Sequence, residues 1–319
     1  MAKKSIMAGI DIGGTTTRMA LIDENGYFLK EAVLPTQNFP LFDDFAQEVA
    51  AIMQRLLDEV SEEATCQGIG IAVPSVDAAG RLESPANLDW GTVDLKAELA
   101  KFFSLPIAVT NDANAAALGE MTYGGARGMQ NFLIVTLGTG VGGGVVIDGH
   151  VYAGQNGFAG EFGHIIVEPD GRQCRCGRRG CLETYVSATG LLRTVLEMMA
   201  KDLRKSSLDG LSAEKIDSKV IYQHASNGDP LAIAAFAETG RILGQALANL
   251  AAIFDPEAIF LFGGLAEAGE LLLKPTQQTF ENSLLYLYKG RIALRLTQIS
   301  QNRGAVLGAG ALARRRLSH

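Results

Sequence analysis

The chain has 319 residues, 47% of them hydrophobic and 20% charged, with a net charge of -7. That is enough for one large or two medium domains with a sizeable core, and too apolar for a disordered chain. The acidic balance argues against broad binding to nucleic acid or an acidic membrane, and no apolar run reaches the roughly 18 residues that span a bilayer.

The start, "MAKKSIMAGIDIGG", has two lysines but only a short apolar stretch, so it does not read as a signal peptide, and the cytoplasm is the expected compartment. "GIDIGGTTTRMALIDENGYFL" follows as an apolar run, a Gly/Thr-rich turn and a second apolar run. "VTLGTGVGGGVVIDGHVYAG", from Val135, repeats the plan. At an offset of 125, Gly13 falls on Gly138, Ile22 on Ile147, Asp23 on Asp148 and Tyr27 on Tyr152. The pattern predicts two similar α/β domains, each opening with an antiparallel hairpin.

Between the repeats, Phe42, Phe45, Val49, Ile52, Leu56 and Val60 lie on one helix face. "GIGIAV" from Gly68 reads as a strand closed by Pro74, and an amphipathic stretch covers Asp94 to Phe103. "LPIAVTND" is a further strand and "ANAAALGEM" the helix after it. In the second half, Leu191 to Lys201 and Pro230 to Phe254 look helical, and Lys201 to Asp217 looks like a polar surface excursion. "AIFLFGG" from Ala258 and "RIALRLTQIS" are strands, and "GAVLGAGALARRR" is a closing helix. The basic run Arg314-Arg315-Arg316 fits a solvated helix end. The expected division is an N-terminal α/β domain over 1–120, joined by the helix 304–319, and a larger α/β domain over 121–303.

Glycine lets backbone N–H groups approach an anion, so Gly-rich turns suit phosphate; tight hairpins alone also use them. Three occur: Gly13-Gly14-Thr15, Gly138-Thr139-Gly140 and Gly263-Gly264. No Walker A sequence is present. Gly138, Gly140 and Gly143 match G-x-G-x-x-G, but that fingerprint must open a helix and here the chain continues as extended structure. A dehydrogenase is a poor reading. Asn111 and Asp112 follow a strand and start a helix. Asp112 either caps that helix or acts as a general base that takes the proton of an attacking hydroxyl, and Asn111 offers a donor and an acceptor beside it.

"GEFGHIIVEPDGRQCRCGRRGCLET" holds His164, Cys174, Cys176 and Cys181. Three Cys and one His complete a tetrahedral shell for structural zinc, with Gly177 and Gly180 permitting a tight wrap. Reactive or idle thiols are the alternative. Glu161 and Glu183 flank these ligands, so a metal would hold both carboxylates at one surface. Acidic side chains and an imidazole together describe a sugar site.

The chain resembles the ROK family of sugar kinases and repressors, in particular its glucokinase-type members. "DIGGTTTR" at Asp11, "SPANLDW" at Ser84, "TNDANAAALGE" at Thr110, "LGTGVGGG" at Leu137, "GEFGH" at Gly160, "CRCGRRGCLET" at Cys174 and "FDPEAIFLFGG" at Phe254 carry the resemblance. It implies a duplicated actin/hexokinase-like (ribonuclease H-like) α/β fold of two domains, with an interdomain cleft for sugar and Mg-ATP. It implies Asp112 as the base on a sugar 6-hydroxyl, with Asn87, Asn111, Glu161, His164 and Glu183 holding hydroxyls. It implies zinc on His164, Cys174, Cys176 and Cys181. Asp11, Gly13, Gly14, Thr15, Gly138, Thr139 and Gly140 would lie at the phosphates and Mg2+, and Gly263-Gly264 at the adenosine. A homodimer or higher homo-oligomer is expected. Thr16 departs from the lysine frequent in the family at that place. The expected function is ATP-dependent phosphorylation of glucose, with N-acetylglucosamine, N-acetylmannosamine, mannose or fructose as alternative acceptors. A sugar-sensing repressor is disfavoured, because only ten residues precede Asp11 where family repressors carry a helix-turn-helix.

Overall fold

The computed structural model describes residues 3–82, 88, 90–201 and 205–317. It divides into two compact units. The first comprises 1–129, 144–159 and 298–319, and the second 130–143 and 160–297.

In the first unit, β1 (Lys4–Ile12), β2 (Thr16–Ile22) and β3 (Phe28–Pro35) form an antiparallel meander. Helix α1 (Phe42–Val60) follows, then β4 (Ala64–Ala72), a short ribbon of β5 (Arg81–Leu82) and β6 (Val93–Asp94), and α2 (Leu95–Leu99). Strand β7 (Ile107–Thr110) and α3 (Asp112–Tyr123) complete the run. Phe45, Val49, Met53 and Leu56 of α1 are buried with Ile6, Ile10, Ile69 and Ile71 in one core, as their helical spacing requires.

The second repeat opens with β8 (Phe132–Leu137) and β9 (Val141–Ile147), and β10 (His150–Val151) pairs back on β9. The chain crosses from the second unit to the first within β9. A 3-10 turn (Phe162–His164) leads to the thiol-rich loop, α4 (Glu183–Val186) and α5 (Ala188–Lys201). Then come α6 (Ser218–Ser226), α7 (Pro230–Phe254), β11 (Ala258–Phe262), α8 (Glu270–Ser283) and β12 (Ala293–Leu296). Asp229 caps α7 by accepting from Leu231 and Ala232, with Pro230 at the first helical position.

The sheet orders are β3-β2-β1-β4-β7 and β10-β9-β8-β11-β12. Strand for strand they correspond: an antiparallel hairpin partner, then two parallel neighbours, in each case. The duplication read from four identities is therefore a duplication of topology, in the actin/hexokinase-like α/β fold. The closing helix α9 (Gly304–Leu317) lies on β1 and β4 of the first sheet and along α3. Its approach is close enough that a Cβ at Gly308 would fall on the Ala115 carbonyl oxygen, and one at Gly70 on that of Ala309.

Candidate active site and metal centre

The first unit sets its polar residues along one sheet edge. Strands β1, β4 and β7 are parallel, and their register puts Asp11, Ala72 and Thr110 on one rung. Parallel strands in such a sheet leave their carboxyl ends as the place where ligands bind. Asp11 is the last residue but one of β1, the Gly13–Thr15 turn follows the strand, and Asn111 and Asp112 follow β7. Gly13 N–H donates to Thr16 O at 3.0 Å and Thr36 N–H to Thr15 O at 3.0 Å, so the turn is pinned on both sides.

Asn111 is the N-cap of α3: its Oδ1 accepts from Ala113 N–H at 2.8 Å, a bond that Asp112 Oδ1 shares at 2.8 Å. Capping thus falls to Asn111, and Asp112 opens the helix after it. Asp112 is exposed at its surface, yet the protein around it pushes its carboxyl above the ordinary carboxylate range, against the pull of nearby backbone N–H groups. Asp11 is pushed up to about 7, mainly by burial and then by the charge of Asp112, with Arg18 opposing. Asp112, raised by desolvation, in turn opposes the ionisation of Asp11, and such a pair suits a site that takes a proton and a cation.

Ser75, just past β4 on the same edge, has φ 57, which a non-glycine residue adopts only when its surroundings impose it. Nothing in "AVPSVD" announces that conformation. Asn87 lies outside the described residues.

The second unit builds the other polar group around two glycine turns. Gly138 N–H donates to Gly140 O at 3.0 Å, and the turn is tied to the α4–α5 junction by Ala188 N–H to Gly138 O at 2.9 Å and Thr189 Oγ1 to Thr139 O at 3.1 Å. Gly263 has φ +104, and a Cβ there would meet Leu137 O at 2.7 Å. The Gly263-Gly264 turn therefore lies against the strand that ends in Gly138, with Leu265 N–H donating to Leu137 O at 3.0 Å. A Cβ at Gly140 would come 2.9 Å from Glu183 Oε2, so that carboxylate stands beside the turn.

Sequence alone singles out His164, Cys174, Cys176 and Cys181, and the structure brings them together. One ligand atom from each falls within 4.8 Å of the other three. Cys176 Sγ is 3.6 Å from Cys181 Sγ, and Cys174 Sγ is 3.8 Å from His164 Nδ1. A tetrahedral zinc with sulfur at about 2.3 Å requires sulfurs about 3.8 Å apart, so the shell fits the ion. Nδ1 faces the thiols, while Nε2 faces Glu161 Oε2 at 3.9 Å; Glu183 Oε1 is 3.8 Å from Nδ1 and accepts from the Cys174 thiol at 3.0 Å. Burial raises the Cys176 thiol, but the Arg178 backbone and guanidinium and the neighbouring thiols outweigh it and bring the group down to about 6. Burial and the Glu183 carboxylate push Cys174 far up. A bound metal would hold every one of these thiols as thiolate.

Arg172 is a positioning residue that no sequence motif indicates. Its buried guanidinium donates to Thr184 O at 2.7 Å, Gly190 O at 3.1 Å, Thr194 Oγ1 at 2.9 Å and both Glu197 oxygens, and stacks 4.4 Å from the Tyr185 ring centroid. It fastens the thiol loop to the helix that carries Glu183. Two of its partners are carbonyls, which every residue has, and all of its partners lie 12 to 25 positions along the chain, so no residue-type pattern could reveal them.

The match to known proteins covers nearly the whole chain: residues 7–316 match the ROK family. The chain belongs to the ROK family. A glucokinase of Halalkalibacterium halodurans is 37% identical over 95% of this chain and 93% of its own. The crystal structure of a ROK family glucokinase from Streptomyces griseus, in complex with glucose and AMPPNP, matches with a TM-score of 0.82 and 34% identity, over 97% of this chain and 99% of that one. ROK relatives also include a xylose repressor of Bacillus subtilis, 30% identical over 75% of this chain and 59% of its own. Among the described residues, no helix is long and apolar enough to cross a membrane.

Proposed function

We propose that this ROK protein is an ATP-dependent hexose kinase of the glucokinase type, forming glucose 6-phosphate from glucose and Mg-ATP. The reading is carried by Asp112: an accessible carboxylate of raised proton affinity, at the carboxyl end of a parallel strand, with its helix capped by the residue before it. The similarity to a glucokinase complexed with glucose and a nucleotide analogue supports it.

In this mechanism Asp112 accepts the proton of the sugar 6-hydroxyl as that oxygen attacks the γ-phosphorus. The new P–O bond forms while the bond to the β–γ bridging oxygen breaks, and ADP leaves. Asn111, Glu161, His164 and Glu183 hold the other hydroxyls, which fixes the 6-oxygen in line. The Gly13–Thr15 and Gly138–Gly140 turns direct N–H groups at the phosphates, Gly263-Gly264 borders the adenosine, and Asp11 lies on the Mg2+ side. Mg2+, when bound, neutralises charge on the triphosphate. The zinc shell has four protein ligands and no open position, so its part is to hold Glu183 and the ring of His164 in place.

The test is ADP release with Mg-ATP against glucose, mannose, N-acetylglucosamine, N-acetylmannosamine and fructose. Highest kcat/KM for glucose is expected. Preference for another of these sugars keeps Asp112 and the metal shell but moves the acceptor, and no turnover with any of them leaves a sugar-binding protein without kinase activity.

A further inference from the structure

The three thiols of the metal shell are not equivalent. Cys174 and Cys181 are buried, whereas Cys176 is exposed. Its sulfur lies 3.6 Å from Cys181 Sγ, and the Arg178 guanidinium, which donates to His164 O at 2.8 Å, lies beside it. Gly177 and Gly180, at φ +88 and +75, reverse the chain between the two cysteines. The remaining cysteine, Cys66, stands apart in the first unit, part-buried, its thiol against Gly68 O at 3.4 Å. An exposed sulfur beside a guanidinium, with a second sulfur in reach, is the arrangement of a thiol open to small oxidants and a partner that resolves the product.

We propose that Cys176 is a site of reversible oxidation by hydroperoxides, resolved by Cys181. In the first step the Cys176 sulfur attacks one oxygen of hydrogen peroxide; an S–O bond forms, the O–O bond breaks, and hydroxide leaves and is protonated to water. In the second, the Cys181 sulfur attacks the Cys176 sulfenic acid; an S–S bond forms, the S–O bond breaks, and a second hydroxide leaves as water. One peroxide is reduced to two waters and two thiols are oxidised to one disulfide. The shell then lacks two of its four ligands and releases its zinc, and Glu183 and His164 lose the support that orients them. The consequence for hexose binding rests on the function proposed above; the chemistry at the sulfurs does not.

Each cysteine of the loop lies on its own tryptic peptide, because Arg172, Arg175, Arg178, Arg179 and Arg193 separate them. The zinc-loaded protein, wild type and Cys66→Ser, is treated with hydrogen peroxide while a chromogenic chelator reports free zinc. The expected result in both is release of about one zinc per chain together with a disulfide joining peptides 176–178 and 180–193, reversed by a thiol reductant with added zinc. Glucose affinity should fall roughly tenfold or more with the same time course. Retained zinc, a disulfide through the peptide 173–175, or no zinc in the isolated protein overturns the proposal. Zinc release and the expected disulfide with no change in glucose affinity would uphold the oxidation site and count against the hexose reading instead.

Discussion

At the scale of single residues, the proposed chemistry rests on Asp112 and on what surrounds it. Asp112→Asn keeps the shape and the helix cap but cannot take a proton, so kcat should fall about 10²- to 10⁴-fold while glucose affinity, measured by calorimetry, stays within a few fold. Near-normal turnover would remove Asp112 as the base. Because desolvation by the surrounding protein raises this carboxyl, the deprotonated form that would act as base is lost at a higher pH than for an ordinary carboxylate. The acidic limb of kcat/KM should therefore lie above the ordinary carboxylate range; a limb centred near pH 4 would contradict it. Arg172 acts at a distance from the chemistry. Arg172→Met leaves the carbonyls of Thr184 and Gly190 without this donor and should cost about 2–4 kcal/mol in urea unfolding. Because Thr184 follows Glu183, KM for glucose should rise more than kcat falls, and Arg172→Lys should restore little of it.

Among the elements, α9 shows how small residues let a helix press onto a sheet. Gly308 faces Ala115 of α3, and Gly9 and Gly70 of the strands receive the α9 backbone. Gly308→Val forces these helices apart and should destabilise by about 2–4 kcal/mol, whereas the same change at Gly177, where a Cβ meets nothing within 4 Å, acts only through its left-handed φ. Equal costs at the two sites would refute the close-approach explanation. The strands β1, β4, β7, β8 and β11 and the helices α1 and α7 were legible because a single period of apolar residues ran through each. Helices α6 and α8 were not: Ser218–Ser226 is short and polar, and Pro275 interrupts α8. The polar stretch before α6 looked like a plain excursion, yet Ser206 and Ser207 donate to Asp229, and Ser207 Oγ lies 2.6 Å from His224 Nδ1. Those contacts join residues far apart in the chain and have no local signature.

For the whole molecule, two acids, Asp11 and Asp229, set opposite trends with pH. The Asp11 carboxyl is raised in the folded state, so the stability linked to it is fully present below about 4 and is lost as pH rises toward 7. Asp229 is depressed to about 2 despite burial, by N–H groups of Ala232 and Ser207 and the hydroxyls of both serines, so its stabilisation is present above about 4 and is lost as pH falls toward 2. Unfolding by urea should thus show a maximum in mildly acidic solution, and Asp11→Asn should flatten the decline between about pH 4 and 7. An unchanged slope in that variant would place the proton elsewhere.

What the sequence determined by itself was everything carried by local spacing: the repeat of hairpin and glycine turn, the main strands and helices, and the tetrahedral donor set of His164, Cys174, Cys176 and Cys181. Such patterns survive in one dimension because the residues concerned are neighbours in the chain. Only the tertiary structure decided that Asp11 and Asp112 share a sheet edge, where the charge of Asp112 raises the proton affinity of Asp11, and that the Cys174 thiol meets Glu183. It also decided that Arg172 locks the thiol loop to α4 and α5, and that Cys176 alone among the three ligand thiols faces solvent. Those facts depend on strand register, burial and the desolvation it brings, and each arises from residues that meet only after the chain has folded.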